Sequence, residues 1–203
     1  LYKKMVDYLS KTISESLNLE SQEKALFSFG LELVVGVILE AIILLILAYF
    51  LKIFWPVLIA LINFLIIRPY AGGIHLPSYN ACLLLTLVVF LFIGFITSKL
   101  QVSLPGIIIL ILSISLLGSF LLYKYAPADT KTIPITDPHL RQNLKKKAFI
   151  VLTAWTSLAI TSSLLFTAYL PLVLASALGI LAQLVSTHPI FFYLLETYWP
   201  EQR

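Results

Sequence analysis

The chain has 203 residues, of which 60% are apolar and 12% charged, with a mean hydropathy of +0.97. Soluble domains carry roughly 25% charged residues, so this chain lacks the polar surface that facing water requires. Disorder is excluded by the same apolar excess. A net charge of +4 on so apolar a chain reflects membrane topology rather than nucleic-acid binding.

Residues 1–18 place Tyr2, Met5, Val6, Leu9, Ile13 and Leu17 at three- and four-residue steps, with Lys3, Lys4, Asp7, Lys11 and Glu15 between them. That pattern predicts an amphipathic helix, either lying in the membrane interface or packed on the protein's own loops. No apolar signal-peptide core stands in residues 1–24, so insertion is expected to rely on the first span. A bilayer core of roughly 30 Å needs about 20 apolar residues as helix. Candidate spans run over residues 25–50, 53–67, 81–98, 104–123, 148–169 and 171–186, the second being short and the fifth and sixth meeting at Leu170–Pro171. An aromatic tail follows, with Phe191, Phe192, Tyr193, Tyr198 and Trp199 as interfacial anchors. The expected fold is an all-α membrane protein: a polar segment 1–24, then a polytopic domain 25–203 with loops at 68–80 and 124–147.

Six spans put both termini and both long loops on one side. Twelve of the fourteen Lys and Arg residues fall there, leaving Lys52 and Lys99 on the other side. The positive-inside rule then predicts a multi-pass cell-membrane protein with that side in the cytoplasm.

The single cysteine, Cys82, excludes an intrachain disulfide and a Cys-pair metal site. His75, His139 and His188 are too scattered for a metal motif, and no cofactor or metal is expected. His139 reads as a solvated loop residue and His188 as an interfacial helix end, while Trp55, Trp155 and Trp199 read as interface or packing residues. The loop after the second span reads Arg68-Pro69-Tyr70-Ala71-Gly72-Gly73-Ile74-His75-Leu76-Pro77-Ser78-Tyr79-Asn80-Ala81-Cys82. Gly72-Gly73 permits positive φ, and His75 can act as a base near neutral pH. Cys82 falls at the start of a helix, where the positive end of the dipole favours a thiolate. Thr86 lies one turn further on the same face. A base beside a thiol is the minimum for nucleophilic catalysis. Spacing alone leaves a plainer reading open, with Cys82 a small buried hydrophobe and His75 an interfacial polar residue.

The string Arg68-x3-Gly72-Gly73-x-His75, with Cys82 and the hydroxyl of Thr86, resembles the accessory gene regulator protein B (AgrB) family, membrane endopeptidases that process autoinducing-peptide precursors in Gram-positive quorum sensing. Residues Tyr125-Ala126-Pro127-Ala128-Asp129-Thr130-Lys131, Pro134-Ile135, Arg141 and Leu144-Lys145-Lys146-Lys147 are similar to a second family stretch. Leu76 and Thr86 depart from it, standing where Ala and Ser are common. The resemblance implies that His75 and Cys82 form a catalytic pair. The substrate it implies is an amphipathic precursor peptide with an acidic C-terminal segment, which is cleaved through a Cys82 thioester and cyclised to a thiolactone or lactone. Arg68, Gly72, Gly73, Asn80 and Thr86 stand as supporting residues, and backbone N–H groups at the start of the third span as oxyanion donors.

Other residues keep two readings. Arg68 either holds a carboxylate or marks the boundary of its span. Lys145, Lys146 and Lys147 either dock the acidic segment or serve topology and anionic lipid. Glu32 and Glu40 share a face of the first span, lining a substrate groove or proton path or else packing the helix as hydrogen-bonded acids, with Asn63 as a partner. A small transporter or peptide exporter using Glu32 and Glu40 is the competing class, and a non-catalytic scaffold a third. Gly36 and Gly179 offer close helix contacts compatible with a homodimer.

Overall fold

The computed structural model describes Tyr8, Thr12, Ile13, Leu76 and residues 21–74, 78–129 and 135–198. The amphipathic reading of residues 1–18 therefore lies outside the described residues except at Tyr8, Thr12 and Ile13, which are helical. Among the described residues there is no strand; the helices are α1 (Ser21–Phe50), α2 (Phe54–Ala71), α3 (Tyr79–Lys99), α4 (Leu104–Tyr125), α5 (Pro138–Leu165), α6 (Leu170–Val185) and α7 (Pro189–Tyr198). Six helical stretches are long and apolar enough to cross a membrane. The protein is a multi-pass membrane protein.

Contacts divide the chain at Ile46 and Leu47. In the part that follows, α2–α6 alternate in direction, and α6 is the central helix. Half of its span is buried, against at most 33% of any other. Its small residues allow this: Gly179 meets α2 so closely that a Cβ would overlap the Ala60 carbonyl, and Gly118 of α4 lies against Leu184. Gly179 is thus consumed within the chain and is not a dimer surface. The core runs through Ile67, Ile111, Leu122, Leu152, Leu174 and Ile180. Outward-facing Leu84, Phe92, Ile109, Leu116 and Leu158 are exposed, as expected where lipid is the solvent. Polar groups inside the spans are satisfied locally, with Trp155 Nε1 donating to Ser176 Oγ (2.8 Å) and Ser115 bonding Thr156 (2.7 Å).

α1 starts at Ser21 rather than 25, taking the polar residues 21–24 into the helix, and three further boundaries differ from the sequence reading for a local reason. α2 continues four residues past Ile67, through Pro69 to Ala71, since a proline near a helix end forfeits one bond without stopping the last turn. α5 starts at Pro138 rather than 148, so the lysine run is helical. Asp137 caps that start by accepting from His139 N, and proline occupies the first turn. The α5–α6 break falls at Phe166 and a short 3₁₀ turn, Thr167–Tyr169, ahead of Leu170.

Candidate functional site

The ends of α2, α4 and α6 meet at one end of the bundle, where three chain segments are stitched together. α2 ends at Gly72, whose N–H donates to Arg68 O (2.9 Å). Gly72 and Gly73 then run at φ +71° and +142°, a region L side chains resist. They form a short parallel bridge with the segment after α4: Ala128 N donates to Ala71 O (2.9 Å), and Gly73 N to Ala128 O (3.0 Å). A Cβ on Gly72 would overlap the Ala128 carbonyl, and one on Gly73 would lie 2.7 Å from Ser186 Oγ and 3.0 Å from Arg68 Nη1. Glycine is required at both positions by conformation and by space.

A buried amide organises this junction. Gln183, in the last turn of α6, is 0% exposed. Its Oε1 accepts from Arg68 Nη1 (3.0 Å), and its Nε2 donates to Gly72 O (2.5 Å). Arg68 Nη2 donates to Ile74 O (2.7 Å), and its guanidinium stacks over Phe64 at 5.2 Å. Ile74 N donates to Ser186 O (3.3 Å). Both polar groups of the Ile74 backbone are therefore held, immediately before His75. His75 itself and Pro77 lie outside the described residues.

On the far side of that gap, Ser78 caps α3, its Oγ accepting from Ala81 N (3.2 Å). Cys82 sits in the first turn, half-buried and in no disulfide, with its N–H on Ser78 O (3.1 Å). The N–H groups of Ala81 and Cys82 are thus occupied. Asn80, exposed, has no acceptor for its N–H within its own helix. Thr86 follows one turn along α3.

The lysines divide. Lys145 Nζ donates to Tyr123 O (2.5 Å) at the end of α4 and lies 5.3 Å from the Tyr123 ring. Lys147 sits 6.0 Å over Tyr70, beside the glycine turn, while Lys146 is exposed. Asp129 pairs with Arg141 (2.6 Å). Burial acts to raise the Asp129 pKa, but hydrogen bonds from the backbone N–H of Ile135 and its own, with the Arg141 guanidinium, outweigh it and hold the carboxyl below the usual aspartate range. Along α1, Glu32 is exposed and Glu40 9% exposed. Asn63 donates from Nδ2 to Ile59 O (2.8 Å) on its own helix. It borders a groove of about 430 Å³ with Trp155, Ser162, Tyr169 and Ser176, whose lining does not include Arg68, Gly72 or Gln183.

The profile of the family described as Accessory gene regulator B matches residues 2–187. The chain belongs to that family. An AgrB-like protein of Clostridium perfringens (strain SM101 / Type A) is 30% identical over 169 residues, covering 80% of this chain and 79% of its own. One from Lactiplantibacillus plantarum is 34% identical over 147 residues, covering 72% of each. Accessory gene regulator protein B of Staphylococcus aureus (strain bovine RF122 / ET3-1) is 24% identical over 187 residues, covering 92% and 94%. No solved structure matches the chain.

Arg68, Gly72 and Gly73, singled out from sequence, are brought together; Lys147 adjoins them, and Lys145 is drawn to α4 instead. Gln183 and Ser186 were not singled out. The signal is the lone amide in the run Leu170–Val185, whose other polar side chain is Ser176, since a polar side chain in a span must find a partner.

Proposed function

We propose that this AgrB-family member is a membrane cysteine endopeptidase that cleaves a pheromone precursor peptide at the cytoplasmic face and promotes cyclisation of the product. The observation that carries the reading is the placement of the sole thiol in the first turn of α3, across a short gap from a backbone pinned at Ile74. His75, inside that gap, accepts the Cys82 proton. The thiolate attacks the scissile carbonyl, and the C–N bond breaks as the proton passes to the leaving amine, giving a thioester on Cys82. The precursor's own thiol or hydroxyl then attacks the thioester, closing the ring and returning the Cys82 thiol. Water would divert this exchange to hydrolysis, so a half-buried site at the membrane edge suits it. With the N–H groups of Cys82 and Ala81 committed to Ser78, the N–H of Asn80 is the next in sequence to serve as an oxyanion donor.

The basic groups at this end, Lys146 and Lys147 foremost, give an acidic peptide segment a docking surface, with Lys145 committed to the fold. An amphipathic precursor would reach that surface along the membrane interface, in a Gram-positive cell membrane. The test is purified protein in liposomes with the small peptide encoded beside it, followed by intact mass spectrometry. Cleavage by the wild type that disappears in both Cys82→Ala and His75→Ala supports the reading. Cleavage that survives either substitution refutes it. Activity lost in Glu40→Gln but retained in Cys82→Ala would favour transport along α1.

A further inference from the structure

We propose that Gln183 of α6 is a positioning residue for the catalytic loop, holding the backbone that leads into His75 in register with the start of α3. The inference rests on the peptidase reading and deepens it. Gln183 is fully buried and uses both ends of its amide on one turn: Oε1 fixes the Arg68 guanidinium, and Nε2 fixes the Gly72 carbonyl. The same guanidinium reaches the Ile74 carbonyl, and Ile74 N–H is held by Ser186, three residues beyond Gln183. One helix end thus grips the residues three and one before His75. Only an amide fits the task. A carboxylate could still accept from Arg68, but it would face the Gly72 carbonyl with no proton to donate. An aliphatic side chain would leave both the guanidinium and the carbonyl unpartnered in a buried place. Because the spans themselves are packed by apolar contacts, losing this grip loosens the loop rather than the bundle.

The experiment compares wild type, Gln183→Glu, His75→Ala and the double variant in liposomes. Gln183→Glu keeps an oxygen acceptor for the Arg68 guanidinium, turning that hydrogen bond into an ion pair, and so guards against simple unfolding. The expected result is a fall in kcat of roughly 10- to 100-fold, the scale set by small misplacements of a catalytic group, with KM unchanged. Alkylation of Cys82 at neutral pH should slow toward the His75→Ala rate, and the double variant should be no slower than His75→Ala alone. A rise in KM without loss of kcat would overturn the proposal, as would additive slowing in the double variant. Should the wild type not cleave the peptide at all, the peptidase reading fails separately. Hydrogen exchange over residues 72–76 then decides the grip. Faster exchange in Gln183→Glu upholds it, and unchanged exchange overturns it.

Discussion

The two ends of the α2–α6 bundle are built on opposite principles. At one end the connections at residues 51–53, 100–103 and 166–169 are short, and their backbone bonds return to the helices they leave or enter: Ile53 N to Ala48 O, Leu100 N to Ile96 O, Ile107 N to Ser103 O and Phe166 N to Ser162 O. At the other, three segments far apart in sequence bond one another through Gly72–Ile74, Ala128 and Ser186. Closing short turns costs little order and needs no polar partners beyond the helix ends. Cross-bonding three segments costs much more conformational entropy, and the chain spends glycines, a buried amide and an arginine on it. Rigid placement of backbone suits a place where side chains meet a substrate, which agrees with the proposal that the chemistry lies at the elaborate end.

That contrast breaks most sharply at Gly72. Gly72→Ala forces a side chain into the Ala128 carbonyl at positive φ, and overpacking with backbone strain is expected to cost about 3 kcal/mol. The loss should appear as faster exchange across residues 72–74 and 126–129 and as abolished cleavage. Normal cleavage would mean that the bridge is ornamental.

A smaller effect separates docking from folding among the lysines. Lys146→Gln removes about 1 kcal/mol of attraction, or roughly five-fold in KM for an acidic precursor, with kcat kept. Lys145→Gln should instead lower thermal stability, because it releases the Tyr123 carbonyl. Equal KM effects from both would merge the two roles.

At the simple end, Lys52 occupies φ +59°, with Ile53 N reaching back to Ala48 O. Lys52→Gly should stabilise by about 0.5–1 kcal/mol in chemical denaturation, glycine being the easier residue there. The smallest effect concerns Asp129. Its lowered pKa gives a contribution fully present above the ordinary aspartate value near 4 and lost as pH falls through the depressed folded value. Asp129→Asn should lower stability slightly between pH 6 and 8 and flatten the acid limb of the pH–stability curve, so that variant and wild type converge at low pH. The effect is small because the Arg141 side chain is 46% exposed.

The fold was largely legible in the sequence because span-forming residues announce themselves over twenty positions. Leu104–Tyr125 and Tyr79–Lys99 fall within two residues of the expected ends. Boundaries differ where polar residues that read as loop are helical. Lys145–Lys147 ride on α5, whose true start is marked by Asp137-Pro138 rather than by hydropathy. At the site, Gly72-Gly73 declared their backbone demand, and the structure meets it with positive φ. Arg68 reads from sequence as a boundary marker or a carboxylate holder; in the structure its guanidinium reaches a neutral amide and a carbonyl. Gln183 was missed because its partners Gly72 and Arg68 lie 111 and 115 residues away in sequence, beyond any local pattern. A single amide within an apolar helix shows that a partner must exist without saying which.

The most direct test of the whole account is to trap the intermediate. A precursor whose cyclising nucleophile is replaced by alanine is incubated with wild-type protein in liposomes, quenched in acid and measured by intact mass. The expected species is protein carrying the N-terminal peptide fragment as a thioester on Cys82, released by hydroxylamine and absent in Cys82→Ala. Cleaved peptide with no adduct at any time, or an adduct that persists in Cys82→Ala, would contradict it.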